Sequence, residues 1–227
     1  MDYTLKDIAK MIDHSLLNPK MTDTDLIEGC KIAIGYDTAS VCIKPYYVKE
    51  TAKILKGSGI KTGTTIGFPH GGHTTAIKVA ESERAMADGA EELDMVVNVG
   101  KVLSQDWDYV LEDIKAVVEV GHAGGAIIKV IFENCFLQDE HKIRLCGICG
   151  QIGADFVKTS TGYGDGGATI EDLKLMREYS PPTVQVKAAG GIRTLDQALE
   201  VKEIGVTRIG ATRTVEILEE CKKRQHM

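Results

Sequence analysis

The sequence carries no surplus of positive charge: 27 Lys and Arg stand against 33 Asp and Glu, a formal net charge of −6. Such a balance leaves no general electrostatic footprint for nucleic acid or an anionic membrane, so an anionic ligand must be held by local donors. No apolar run approaches the length of a membrane span. Residues 1–10 carry Asp2 and Asp7 without a continuous apolar stretch, so no secretory signal is expected and a cytoplasmic location is. The six cysteines, at 30, 42, 135, 146, 149 and 221, lack zinc-site spacing. Cys146 and Cys149 form a single C-x-x-C inside a helix-like segment. All six read as small buried apolar residues in a reducing compartment. A G-x-G-x-x-G motif is missing after the first β-like run, which counts against an open dinucleotide-binding sheet.

What is present is a regular alternation. Short β-branched runs at 11–14, 39–43, 61–66, 92–98, 126–132, 155–159, 183–188 and 208–210 are separated by amphipathic stretches. These predict helices over 22–34, 46–56, 74–87, 107–120, 139–152, 170–179, 195–204 and 215–223. Gly35, Gly57, Gly89, Gly121, Gly153 and Gly205 stand where left-handed helix stops are common. Eight βα units in 227 residues predict one α/β domain, residues 1–227, folded as a closed (β/α)8 TIM barrel.

In such a barrel the chemistry sits at the C-terminal ends of the strands. Three lysines there, Lys129, Lys158 and Lys187, are spaced 29 residues apart on successive strands, each inside an apolar run. Lysine is depleted in strands and rarely buried without a partner. A lone strand lysine usually snorkels or pairs; three in register would crowd several ammonium groups into one cavity. A free lysine (pKa ~10.4) is neutral about once in 2,500 molecules at pH 7. A like charge ~4 Å away costs on the order of 4 kcal/mol at an effective dielectric of ~20, or roughly three pKa units. Desolvation acts in the same direction. A neutral amine in an apolar site is what Schiff-base chemistry needs, but spacing alone leaves all three lysines as competitors. Asp94, mid-strand among apolar neighbours, is either their ion-pair partner or a proton carrier.

Glycine-rich segments follow the lysine strands at 159–167 and 189–193, and Gly210-Ala211-Thr212-Arg213 opens the last helix. Exposed N–H groups and a helix N-terminus there suit a phosphate. His70-Gly71-Gly72-His73 has no partner at ligand spacing, so loop or substrate-contact histidines are expected rather than a metal pair.

Phe156-Val157-Lys158-Thr159-Ser160-Thr161-Gly162, with the glycine-rich run after it, resembles the Schiff-base signature of the 2-deoxyribose-5-phosphate aldolase family. Val186-Lys187-Ala188-Ala189-Gly190-Gly191-Ile192-Arg193 resembles its second-lysine signature. Segments 12–17, 41–45, 66–69 and 92–94 are similar too, so the likeness runs from about residue 10 to 215. The resemblance implies a class I aldolase that reversibly cleaves 2-deoxy-D-ribose 5-phosphate to D-glyceraldehyde 3-phosphate and acetaldehyde, with no metal or other cofactor. It implies Lys158 as imine former, Lys187 as the lysine lowering its pKa, and Asp94 as proton relay. It implies substrate and phosphate contacts at Asp13, Cys42, Thr159, Gly162, Gly190, Gly191, Gly210, Thr212 and Arg213. The expected partners are small phosphorylated sugars and aldehydes, not nucleic acid or membrane; whether the barrel acts alone or as a homo-oligomer stays open.

The chain departs from the family pattern in three places. Thr212-Arg213 stands where a Ser-Ser pair is usual, so Arg213 reads as an added phosphate contact, an outward side chain, or the mark of another phosphorylated or acidic substrate. The segment 132–135 replaces the commoner Glu-Thr version. The end, Gln225-His226-Met227, has no terminal tyrosine, so no tail-assisted proton transfer is expected. The competing readings are a Schiff-base barrel aldolase for another phosphorylated or deoxy sugar, a non-catalytic sugar-phosphate-binding barrel and, weakest, a zinc aldolase.

Overall fold

The computed structural model describes residues 3–225. Eight parallel strands close into a barrel in chain order: β1 (Ile12–Leu16), β2 (Ser40–Ile43), β3 (Lys61–Ile66), β4 (Glu92–Val96), β5 (Ile127–Ile131), β6 (Phe156–Lys158), β7 (Gln185–Ala189) and β8 (Arg208–Ala211). Strand β8 returns to β1 with Asp13 opposite Gly210. The period of two then divides each strand. Leu93, Met95, Ile128, Val130, Val157, Val186 and Ala188 are fully buried and face the surrounding helices. The residues between them point into the lumen. Arg208 of β8 bonds Glu92 of β4, four strands away, a contact only the lumen permits. Barrel interiors are ordinarily filled by branched apolar side chains; here several positions are ionic.

The main helices lie where the amphipathic pattern predicts them. They are α2 (Asp23–Tyr36), α3 (Val48–Leu55), α4 (Thr75–Ala87), α6 (Trp107–Ala123), α7 (Asp139–Ile152), α8 (Ile170–Tyr179), α9 (Leu195–Glu203) and α10 (Thr214–Gln225). Thr22 and Thr194 close capping boxes with Asp25 and Gln197, each cap worth about 1 kcal/mol. Two α-helices among the described residues have no counterpart in the sequence reading, α1 (Leu5–Ala9) and α5 (Val99–Leu103); at five residues each they are too short to show a period.

Two expected glycine stops are corrected. Helix α2 continues through Gly35 and ends at Asp37, which is left-handed at φ 53°. Helix α6 runs past Gly121 to Ala123. A Cβ on Gly121 would lie 2.2 Å from Ile128 Cδ1, so this glycine lets the helix approach the sheet instead of ending it. Five cysteines are buried as expected, whereas Cys135 is exposed in the turn after β5. His226 and Met227, and with them the expectation about the chain's end, lie outside the described residues, as do Met1 and Asp2.

Candidate active site

Among the described residues, seven charged side chains meet in the lumen. Asp94 accepts from Lys129 through Oδ1 at 2.8 Å, and from both Lys158 and Lys187 through Oδ2 at 2.7 Å. Lys129 also reaches Glu92 at 2.7 Å and stands 3.8 Å from Asp13. Lys187 also pairs with Asp13 at 2.5 Å. Arg208 bonds Asp13 and forks onto Glu92 at 3.1 Å. Ser40 donates to Asp13 at 2.7 Å. The three lysines and three carboxylates are almost wholly shielded from solvent, so each charge depends on its neighbours.

The three lysines are not equivalent. Burial pushes Lys158 below the ordinary lysine range; Asp94 pulls against this and Lys187 reinforces it. Desolvation is thus the larger cause, and like-charge repulsion, prominent in the sequence argument, assists it. Burial acts on Lys129 too, but Asp94, Glu92 and Asp13 outweigh it and hold the ammonium above its usual range. Asp13 and Asp94 do the same for Lys187. Asp94, which burial alone would raise, is held well below the carboxylate range by the three lysines. Of the competitors left open by spacing, Lys158 is the one whose proton is loosened.

A cavity of about 470 Å³ opens above these groups, with Lys158, Lys187, Asp13 and Cys42 at its base. Burial pushes the Cys42 thiol up to about 11, so it stays protonated near neutrality. Gly162, Gly190, Gly191, Gly210 and Thr212 surround the mouth. Gly162, Gly190 and Gly191 have φ of 86°, 79° and 102°, left-handed conformations that exclude most side chains. The loops after β6 and β7 touch through their backbones: the Ala168 N–H donates to Ala189 and Gly190 at 3.0 and 2.9 Å, and a Cβ on Gly167 would lie 2.3 Å from Gly190 O. Glu133, buried and left-handed at φ 58°, accepts from the Thr161 N–H at 3.2 Å and from its hydroxyl, which anchors the first loop. Tyr163 crosses the mouth, donating to Leu17 O at 2.7 Å and stacking edge-on against Phe68.

Two predicted contact residues do not line this cavity. The Thr159 hydroxyl is taken up by the Ala189 backbone, at 3.0 Å to both N and O, and ties β6 to β7. Arg213 turns outward to Glu216 at 2.6 Å. The sequence reading also missed participants. Glu92 was visible in principle, two residues before Asp94 and so on the same face. Arg208 bears the same relation to Gly210. His14 lies outside the lumen, where its Nδ1 meets the Thr214 hydroxyl at 2.8 Å. His70 and His73 are exposed, and among the described residues no three His, Cys, Asp or Glu side chains converge as a metal site.

The profile of the DeoC/LacD family aldolases matches residues 8–211. The chain belongs to that family. It is 61% identical over 226 residues to the deoxyribose-phosphate aldolase of Rhodopirellula baltica, covering all of this chain and 94% of that protein. It is 50% identical over 215 residues to the Thermococcus gammatolerans deoxyribose-phosphate aldolase, covering 94% and 96% of the two chains. Among solved structures it resembles the tetrameric deoxyribose phosphate aldolase of Aeropyrum pernix at a TM-score of 0.90 and 30% identity, covering 97% and 93%. No described helix is long and apolar enough to cross a membrane.

Proposed function

We propose that this member of the DeoC/LacD family is a class I aldolase that reversibly cleaves 2-deoxy-D-ribose 5-phosphate into D-glyceraldehyde 3-phosphate and acetaldehyde, with Lys158 as the imine-forming residue. One observation carries the assignment of roles: Lys158 and Lys187 donate to the same oxygen of Asp94 at 2.7 Å, beneath a cavity walled by glycine loops.

The neutral Lys158 amine attacks C1 of the open-chain aldehyde. Asp94 and Lys187 pass protons to the carbinolamine oxygen until water leaves and a protonated imine remains. Loss of the C3 hydroxyl proton then breaks the C2–C3 bond, and its electron pair flows into the iminium, leaving an enamine on Lys158. Glyceraldehyde 3-phosphate departs, C2 takes a proton, and water releases acetaldehyde and the free amine. The phosphate sits against the N–H groups of Gly162, Gly190 and Gly191, with Gly210, the Thr212 hydroxyl and the α10 N-terminus nearby. Asp13 and Cys42 border the sugar. The work is cytoplasmic, in a homo-oligomer as for the A. pernix neighbour.

Borohydride reduction with acetaldehyde tests this. An ethyl group on the Lys158 Nζ is the expected product, and a Lys158→Leu variant that still turns over would sink the assignment.

A further inference from the structure

The lumen holds an unequal set of charges. Its carboxylates are Asp13 on β1 with Glu92 and Asp94 on β4; its cations are Lys129, Lys158, Lys187 and Arg208 on β5 to β8. Cys42 of β2 faces the same space as a neutral thiol. Four cations against three carboxylates leave an excess of one in a nearly dry space, where an unbalanced charge is costly. The excess vanishes when one cation gives up a proton. Arg208 cannot be that one, since a guanidinium stays charged in proteins. Lys187 touches two carboxylates and Lys129 two, with a third at 3.8 Å. Lys158 touches only Asp94, through an oxygen it shares with Lys187.

We propose that Arg208 is a positioning residue for imine formation: by engaging Asp13 and Glu92 with a charge that cannot be lost, it makes Lys158 the cation that must release its proton. It acts through the chain Arg208–Asp13–Lys187–Asp94–Lys158, without touching substrate. The inference rests on the Schiff-base reading above. It differs from a packing role in predicting opposite signs for opposite changes. Removing Arg208 leaves three cations on three carboxylates, and Lys158 keeps its proton. Removing the Glu92 charge leaves four on two, and Lys158 sheds it more readily.

The experiment is the pH dependence of kcat/KM, whose acidic limb reports the free amine, with borohydride trapping at each pH. Arg208→Gln should move the limb up by about one pH unit or more, Glu92→Gln should move it down, the double variant should restore it toward the parent position, and Arg208→Lys, charged but able to lose its proton, should fall between Arg208→Gln and the parent. Limbs that stay in place, or that move the same way in both single variants while Lys158 is still trapped, overturn the charge-count proposal and leave the Schiff base standing. Trapping at another lysine in the parent protein overturns both. Should Arg208→Gln fail to fold, the downward shift in Glu92→Gln and the behaviour of Arg208→Lys decide the matter.

Discussion

Lys158 and Lys187, opposite each other on adjacent strands, donate to one and the same carboxylate oxygen, Asp94 Oδ2, each from 2.7 Å. Their nitrogens are therefore held close by a single acceptor, and each raises the cost of charging the other. Lys187→Leu removes that repulsion and a proton carrier together. We expect kcat/KM at pH 7 to fall by ~100-fold or more and its acidic limb to shift to higher pH. A pH–rate profile with the limb unmoved would show that Lys187 does not act on Lys158.

The backbone contact between the loops after β6 and β7 has its own signature. A methyl group on Gly167 would stand 2.3 Å from Gly190 O, an atom with little freedom to retreat. In Gly167→Ala the β7 loop must move, and with it the N–H groups proposed to hold the phosphate. KM for 2-deoxyribose 5-phosphate should rise by at least about 10-fold, the loss of one or more charge-assisted hydrogen bonds. KM for unphosphorylated 2-deoxyribose should stay unchanged; an equal rise for both sugars would mean that the glycine supports the barrel and not the phosphate.

Arg213 gives the converse case. Its side chain is 60% exposed and pairs with Glu216 one helical turn along. Such pairs contribute little, so Arg213→Ser should leave KM for the phosphorylated sugar within about 2-fold and stability within about 0.5 kcal/mol. Steady-state kinetics and a melting curve settle both; a large KM increase would bring Arg213 back to the substrate.

His14 should leave a mark on the acid limb of stability. Burial pushes its pKa down from 6.5 to about 4. The unfolded chain thus takes up a proton below pH 6.5 that the folded protein refuses until about pH 4. Stability falls as pH drops through that window, by up to about 3 kcal/mol from this group, and gains no further loss from it below. Urea titrations from pH 7 to 4 should show a shallower decline in His14→Asn than in the parent.

The fold was legible because eight strand–helix repeats without a dinucleotide-binding glycine motif favour a closed parallel sheet over an open one, and the lysines advertise themselves in apolar runs. Lys129, Lys158, Lys187 and Asp94 are all found in the lumen, as strand periodicity implies. The residues that went unread failed for identifiable reasons. Glu92 starts its strand and looks like an ordinary polar edge residue; only closure of the barrel brings Arg208 to it from 116 positions away. Thr159 sits in a signature motif, yet its hydroxyl is consumed locally by Ala189, a choice set by β6–β7 register. Arg213 faces outward because helix α10 begins just after it, so its partner is one turn along rather than across the mouth. Gly121 was misread because a glycine needed for close packing and one needed for a left-handed turn are the same letter.

The lumen charges also divide along the chain. All three carboxylates come from β1 and β4, and all four cations from β5 to β8. The lumen is therefore lined by an acidic arc and a basic arc, neither of which can neutralise its own charges. A fold assembled from two identical half-barrels could not have this arrangement. Cut between β4 and β5, the two pieces should be poor folders apart and mutually attractive when mixed, each acting as a template for the other.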